Sequence, residues 1–150
     1  MRDQFDGDRI VLDNALTFVL HGTYQRIRAY AYRVFAEHGV EITPEQWMVL
    51  VRLWQHEPIS QADLGDLTLR DRPTMTRILD GMDTRGWITR GRDPSDARVR
   101  LVRLSAEGRA LRKKLVPVAK AIVARAEAGI ADKDLVTTRE TLRRIAANLE

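Results

Sequence analysis

Three helix-start signals crowd the stretch between residues 43 and 73. Thr43-Pro44-Glu45-Gln46 offers a capping hydroxyl, a proline suited to the first helical position and a glutamine to close a capping box. Ser60-Gln61-Ala62-Asp63 repeats the capping logic, and Asp71 precedes Arg72-Pro73 in the same way. Each start ends whatever helix came before it, so this region is three short helices with tight links. Trp47, Leu50, Val51 and Trp54 mark the buried side of the first, up to about His56. The second runs from Ser60 to about Leu67. The third carries a buried stripe of Met75, Ile78, Leu79 and Met82, and Gly86 ends it. The link Thr68-Leu69-Arg70 is short enough for the second and third helices to form a helix-turn-helix.

Residues 87–91 and 99–104 follow and are rich in β-formers. Asp93-Pro94-Ser95-Asp96 between them is turn chemistry, so the pair reads as a β-hairpin. A hairpin after a helix-turn-helix makes it winged. Charge agrees with this order. Residues 70–114 hold thirteen Lys and Arg against six Asp and Glu, while the rest of the chain holds twelve against fifteen. A basic block on a slightly acidic chain is the footprint of a polyanion partner. With the apolar stripe facing the core, the third helix turns Pro73, Thr76, Arg77, Asp80 and Thr84 outward, with Arg70, Arg72 and Thr74 at its leading end. Arg77 has the fork for guanine O6 and N7, and Thr74 or Thr76 suits a phosphate or thymine methyl. Asp80 is expected on the surface or paired within the helix to Arg77 or Thr84. Arg98 at the hairpin tip suits the narrow, negative minor groove, braced by Asp96. Arg92, Arg100 and Arg103 line the arms for backbone phosphates.

Long helices flank this lobe. Residues 9–37 carry Leu12, Leu16, Val19, Leu20, Thr23, Ile27, Ala31 and Val34 at helical spacing. A second stripe, Phe18, His21, Gln25, Arg28 and Tyr32, lies on the other side. Ser105 starts another long helix, in which Pro117 is expected to produce a kink. A last helix spans about 132–149. The 44% of hydrophobic residues suffices for one core, so residues 1–150 are read as one domain. No apolar run is long enough for a membrane helix, and Met1–Asp8 lack a secretory apolar segment, so the expected compartment is the cytoplasm. The absence of cysteine excludes disulfides, thiolate metal sites and thiol redox sensing. His21, His38 and His56 share no metal-ligand spacing. No phosphate loop, nucleophile elbow or cofactor motif appears, so neither an enzyme nor a cofactor is expected.

The stretch GWITRGRDPSDARVRLVRLSAEG (86–108) resembles the wing signature of the multiple-antibiotic-resistance regulator (MarR) family. That signature has a Gly-apolar-apolar strand, an Asp-Pro turn and an Asp-x-Arg pair before a capped helix start. PTMTRILDGMDTRGWI (73–88) resembles the family's recognition helix, and the helix order is similar over nearly the whole chain. Departures are Ala97 where a basic residue is common, Trp87 for a smaller aliphatic, and Gly81 inside the helix.

The resemblance implies a mainly α fold with a small β-hairpin wing. A winged helix-turn-helix lobe over 43–104 would be flanked by dimerization helices at 9–37 and 105–149. It also implies a homodimeric repressor of a pseudo-palindromic operator, with recognition helices about 34–36 Å apart. Many members bind small aromatic or phenolic anions between the dimerization helices and the DNA-binding lobe. Here His21 and Arg28 are candidates to hold the anion, with Tyr24, Trp47 and Trp54 to wall its ring. The same residues also read as core (Trp47, Trp54) or as dimer contacts (His21, Arg28). A regulator without an effector and a winged protein-interaction module remain the alternatives.

Overall fold

The capping residues start the helices where the sequence places them. The computed structural model describes residues 5–6 and 9–150; residues 1–4 and 7–8, within the stretch read for a leader, lie outside the described residues. In chain order the elements are β1 (Phe5–Asp6), β2 (Arg9–Ile10), α1 (Leu16–Glu37), α2 (Pro44–His56), β3 (Ile59–Ser60), α3 (Gln61–Thr68) and α4 (Arg72–Thr84). They continue with β4 (Ile88–Arg92), β5 (Arg100–Leu104), α5 (Ala106–Ala126) and α6 (Asp132–Ala147). Thr43 caps α2 through a complete box, in which its Oγ1 accepts from Gln46 N–H at 3.2 Å and its own N–H donates to Gln46 Oε1 at 3.1 Å. Ser60, Asp71 and Ser105 cap α3, α4 and α5 from their side chains.

The first helix is shorter than the expected 9–37. Arg9–Ile10 pairs antiparallel with Phe5–Asp6, Leu12–Asn14 forms a 3-10 turn, and Ala15 is extended before α1 begins. Apolar spacing misleads here because it records neither a 3-10 turn nor the extended residue that separates it from α1. At the other end, α6 stops at Ala147, two residues before the expected 149. Helix α5 continues through Pro117.

The expected hairpin forms with the register Ile88↔Leu104 to Arg92↔Arg100, and a third strand, unforeseen, joins it. Ile59 pairs with Val102 and Ser60 with Leu101, so β5 is the central strand. The core lies where α2, α3 and α4 meet this sheet. Leu50, Leu53, Leu64, Met75, Leu79 and Val102 are fully buried in it, and Leu115 ties α5 to the same cluster. Glu57 fastens the parts together. One carboxylate oxygen accepts from Leu104 N–H at 2.7 Å, and the other accepts from the Arg109 guanidinium at 2.6 and 2.9 Å.

The turn between α3 and α4 is tight because Leu69 is left-handed, at φ 54° and ψ 46°. Its side chain is 90% exposed, so it gains almost nothing from burial. A β-branch-free L-residue still strains in this region, and glycine does not. Leu69→Gly is therefore expected to raise stability by roughly 0.5–1 kcal/mol, net of the greater freedom of glycine in the unfolded chain. A denaturant midpoint moving upward at constant slope is the check; a fall would mean that the Leu69 side chain has a packing role.

The faces of α1 and α6 are less covered. Leu12, Leu16, Val19 and Ile27 of the first stripe are each about half exposed, whereas Ala31 and Val34 pack against the core. Helix α6 has no buried residue; Leu135, Leu142 and Ile145 are only half-buried.

Candidate functional site

Helix α4 is positioned by its own cap and by the core. Asp71 Oδ1 accepts from Thr74 N–H at 2.7 Å, and Met75, Ile78, Leu79 and Met82 anchor the inner face as the sequence predicts. This leaves Arg72, Pro73 and Arg77 exposed on the outer face, with Arg70 and Thr74 half-buried beside them. Thr76 is half-buried and already occupied: its hydroxyl donates to Arg72 C=O at 2.9 Å and accepts from Gln61 Nε2 at 2.8 Å. That pair ties α3 to α4 and turns Thr76 towards holding the two helices in register.

Asp71 has a consequence for pH. Hydrogen bonds from Thr74, assisted by the charges of Arg77 and Arg70, hold its carboxyl below the ordinary 3.8. A depressed folded-state value stabilises the protein above the unfolded value, and the benefit is lost as pH falls through the folded one. Asp71→Ala is expected to lower Tm at pH 7, and the gap from the parent should close progressively below pH 3.8. A gap independent of pH would show that the carboxylate charge is not what caps α4.

The wing is joined to α4 by an ion pair that sequence reasoning missed. Arg90 on β4 places Nη1 2.7 Å from Asp80 Oδ1 and Nη2 3.0 Å from Asp83 Oδ2. Partial burial works against the Arg90 charge, but the bonds to Asp80 and Asp83 outweigh it and raise its pKa above the ordinary value. Asp80 is thus not the partner of Arg77, and Thr84 reaches only the Asp80 carbonyl, at 2.9 Å. The reason is register: strand pairing brings Arg90 opposite the α4 turn that carries both carboxylates, and nothing local in the sequence signals that.

At the wing tip Asp93 organises the turn. Its Oδ1 accepts from Ser95 N–H at 2.7 Å and Asp96 N–H at 3.2 Å, and also from the Ser95 hydroxyl, which holds the Asp93 carboxyl below its ordinary value. Asp96 braces Arg98 by a route other than the one expected. Its Oδ1 accepts the Arg98 backbone N–H at 2.9 Å, not the guanidinium. An aspartate two residues back closes an Asx turn more easily than it reaches a long side chain. The Arg98 side chain therefore stays exposed and unpaired among the described residues. Arg92 and Arg100 sit opposite each other across the hairpin, both exposed, and Arg103 is half-buried. Residues of α3, the leading end of α4 and the wing, including Arg70, Arg72, Arg98 and Arg100, together line one groove.

A second feature lies between α1, α2 and α5: a cleft of about 730 Å³. Tyr24, Arg28, Trp47 and Trp54 all line it, and His21 is not among its lining residues. His21 lies two turns before Arg28 on an exposed part of α1, where helical spacing alone could not tell cleft from solvent. Trp47 and Trp54 meet edge to face with centroids 5.6 Å apart, and Phe35 backs Trp47 at 5.2 Å. Trp54 Nε1–H donates to Gly108 C=O at 3.1 Å, so its indole is fixed in the wall. Both tryptophans thus pack against the core and face the cleft, so the two readings of them are compatible. Arg112 and Lys120 of α5 also line the cleft, and sequence reasoning did not single them out. Arg28 is not free: its Nη1 is 2.9 Å from Glu45 Oε1.

Known proteins share this arrangement. The sequence model of the MarR family matches residues 42–99. An organic hydroperoxide resistance transcriptional regulator of Bacillus subtilis is 31% identical over 118 residues, which are 79% of this chain and 78% of that protein. The chain belongs to the MarR family. Its three-stranded wing, its helix-turn-helix and its flanking helices are those of a winged-helix DNA-binding transcriptional regulator of that family. The crystal structure of a probable transcriptional regulator from Pseudomonas aeruginosa superposes with a TM-score of 0.78 at 38% identity, covering 89% of this chain and 98% of the other. BpsR of Bordetella bronchiseptica, whose DNA binding is regulated by 6-hydroxynicotinic acid, superposes with a TM-score of 0.84 at 26% identity, covering 93% and 98%. Among the described residues, no helix of this MarR protein is long and apolar enough to cross a membrane.

Proposed function

We propose that this MarR-family chain acts as a homodimeric repressor of a pseudo-palindromic operator and is released when a small aromatic anion enters the α1–α2–α5 cleft. The observation that carries the reading is the joint presence of an exposed cationic reading head and a large apolar cleft behind it. Arg72, Pro73 and Arg77 of α4 enter the major groove, with Arg70 and Thr74 at its leading edge on phosphate. Thr76 contributes position, by holding α3 to α4, and only its methyl to the interface. Arg98 enters the minor groove from a tip shaped by Asp96, and Arg92 and Arg100 take flanking phosphates.

The half-exposed apolar faces of α1 and α6 support the dimer. They lie at the two chain ends, in the segments 9–37 and 105–149 assigned to dimerization, outside the 43–104 lobe that reads DNA. Burying such faces against a twofold copy removes apolar surface from water at about 25 cal/mol per Å². The cleft supports the effector: aromatic walls take a ring, and Arg28, Arg112 and Lys120 offer positive charge. The regulated binding of BpsR by 6-hydroxynicotinic acid, an aromatic hydroxy-acid, favours the same class. With no cysteine in these 150 residues, an oxidant could not signal through a thiol here.

The test is fluorescence anisotropy with DNA from upstream of the protein's own gene, random duplex as control, and a salt series. Specific affinity about 10³-fold or more above the control, falling steeply with salt, is the expected result. A solution mass of two chains at micromolar concentration is expected alongside it. Equal, weak binding to both duplexes would reject this operator, and a monomer mass would reject the dimer. Specific binding that no aromatic acid relieves would favour a regulator without an effector.

A further inference from the structure

The cleft and the reading head share one carboxylate oxygen. Glu45 Oε1 lies 2.9 Å from Arg28 Nη1, on the cleft wall, and 4.0 Å from Arg70 Nη2, at the leading end of α4. Glu45 is the second residue of α2 and its side chain is only 17% exposed, so it has little water to fall back on. Its charge also suits the first turn of a helix, where the macrodipole favours an anion. Two guanidiniums compete for one acceptor, and in this arrangement Arg28 has the stronger hold.

We propose that Arg28–Glu45–Arg70 is a charge relay through which a carboxylate ligand in the cleft withdraws Arg70 from DNA. The proposal rests on the cleft reading above and adds the class of ligand and the route of its effect. A ligand with an apolar body and a carboxylate seats its rings against Trp47 and Trp54 and presents its charge to Arg28. Arg28 then leaves Glu45. The half-buried carboxylate cannot remain without a cation, and it closes on Arg70. Arg70 loses its reach to the phosphate, and the leading end of α4 turns inward with it. Linkage makes the effect reciprocal. A phosphate that holds Arg70 outward strengthens Arg28–Glu45 and weakens the ligand.

The relay requires charge on the ligand. An uncharged molecule of the same shape fills the cleft without displacing Arg28, so it leaves the DNA affinity unchanged. Arg112 and Lys120, at the same cleft, draw the anion in but have no link to α4 through Glu45.

The test uses 2-naphthoate and its uncharged counterpart 2-naphthalenemethanol, with a DNA fragment already selected for specific binding. Ligand affinity is read from tryptophan fluorescence, with and without DNA, and DNA affinity from anisotropy, with and without ligand. In the parent, naphthoate should weaken DNA binding about tenfold, within the usual range of coupling, and DNA should weaken naphthoate by the same factor. The alcohol should change DNA affinity less than twofold. Glu45→Gln should bind naphthoate severalfold more tightly and reduce both couplings below twofold. Arg70→Gln, which keeps Glu45 and guards against a folding defect in the first variant, should bind DNA more weakly and also lose the coupling. Its naphthoate affinity without DNA should fall severalfold, because Glu45 then has no second cation to close on when Arg28 leaves it. Full coupling in Glu45→Gln or Arg70→Gln, or equal release by the alcohol, would overturn the relay and leave the cleft reading standing. Absence of naphthoate binding to the parent would overturn the cleft reading for aromatic carboxylates, and the relay with it.

Discussion

Gly108→Ala is expected to cost about 3 kcal/mol of stability, near the upper end of ordinary overpacking penalties. For a chain of this size that is a fall in Tm of roughly 6–12 °C. A β-carbon at Gly108 would lie 2.0 Å from the Trp87 carbonyl oxygen and 3.0 Å from its carbon. The neighbour is backbone, and it is already committed, because Trp87 C=O accepts from Ser105 N–H at 3.0 Å. Neither side can yield without lifting α5 from the base of the wing. The same residue supports two other bonds. Its N–H completes the Ser105 cap at 3.0 Å, and its carbonyl holds Trp54 of the cleft wall. The variant should therefore also alter tryptophan fluorescence. Gly91→Ala is the control, since a β-carbon there meets nothing within 4 Å and should cost less than about 0.5 kcal/mol. Thermal unfolding of the three proteins decides the matter. Equal midpoints for the parent and Gly108→Ala would mean that the α5–wing junction is looser than its geometry implies.

Combined replacement of Arg77 and Arg98 by alanine is expected to weaken specific DNA binding by about 100-fold or more, with folding intact. A bidentate arginine–guanine contact discriminates by about 1–3 kcal/mol, and an arginine in a narrow minor groove adds the attraction of its negative potential. Both side chains are exposed, and neither is in an ion pair among the described residues, so the fold needs their charge only for the minor help that Arg77 gives the Asp71 cap. Arg90→Ala is the informative contrast. It breaks the pairs to Asp80 and Asp83 and should loosen the wing against α4, reducing affinity and stability together. Anisotropy titration with circular dichroism on the same samples separates the two outcomes. Unchanged affinity in the Arg77/Arg98 double variant would move the DNA contact elsewhere, and loss of helical signal would assign those arginines a structural part.

Local chemistry alone made much of this legible. The capping box of α2, the caps of α3, α4 and α5, and the buried stripe of α4 follow from side chains within four residues of one another, so sequence spacing contains the geometry. The wing follows from turn residues between β-forming runs, for the same reason. The start of α1 is not legible in this way, because apolar periodicity does not record a 3-10 turn or the extended Ala15.

The sequence by itself determined where α2 to α5 begin, the buried stripe of α4, and that arginines gather on one lobe. These depend on interactions along a single element, whose period and caps are written in order. The tertiary structure alone decided which partner each charge takes. Arg90 meets Asp80 and Asp83 because strand register brings it there, and Glu45 stands between Arg28 and Arg70 because α1, α2 and the α3–α4 link converge on it. Coulomb attraction is non-directional and acts between whatever groups the packing brings within a few ångströms, so no spacing in the chain could have assigned those pairs.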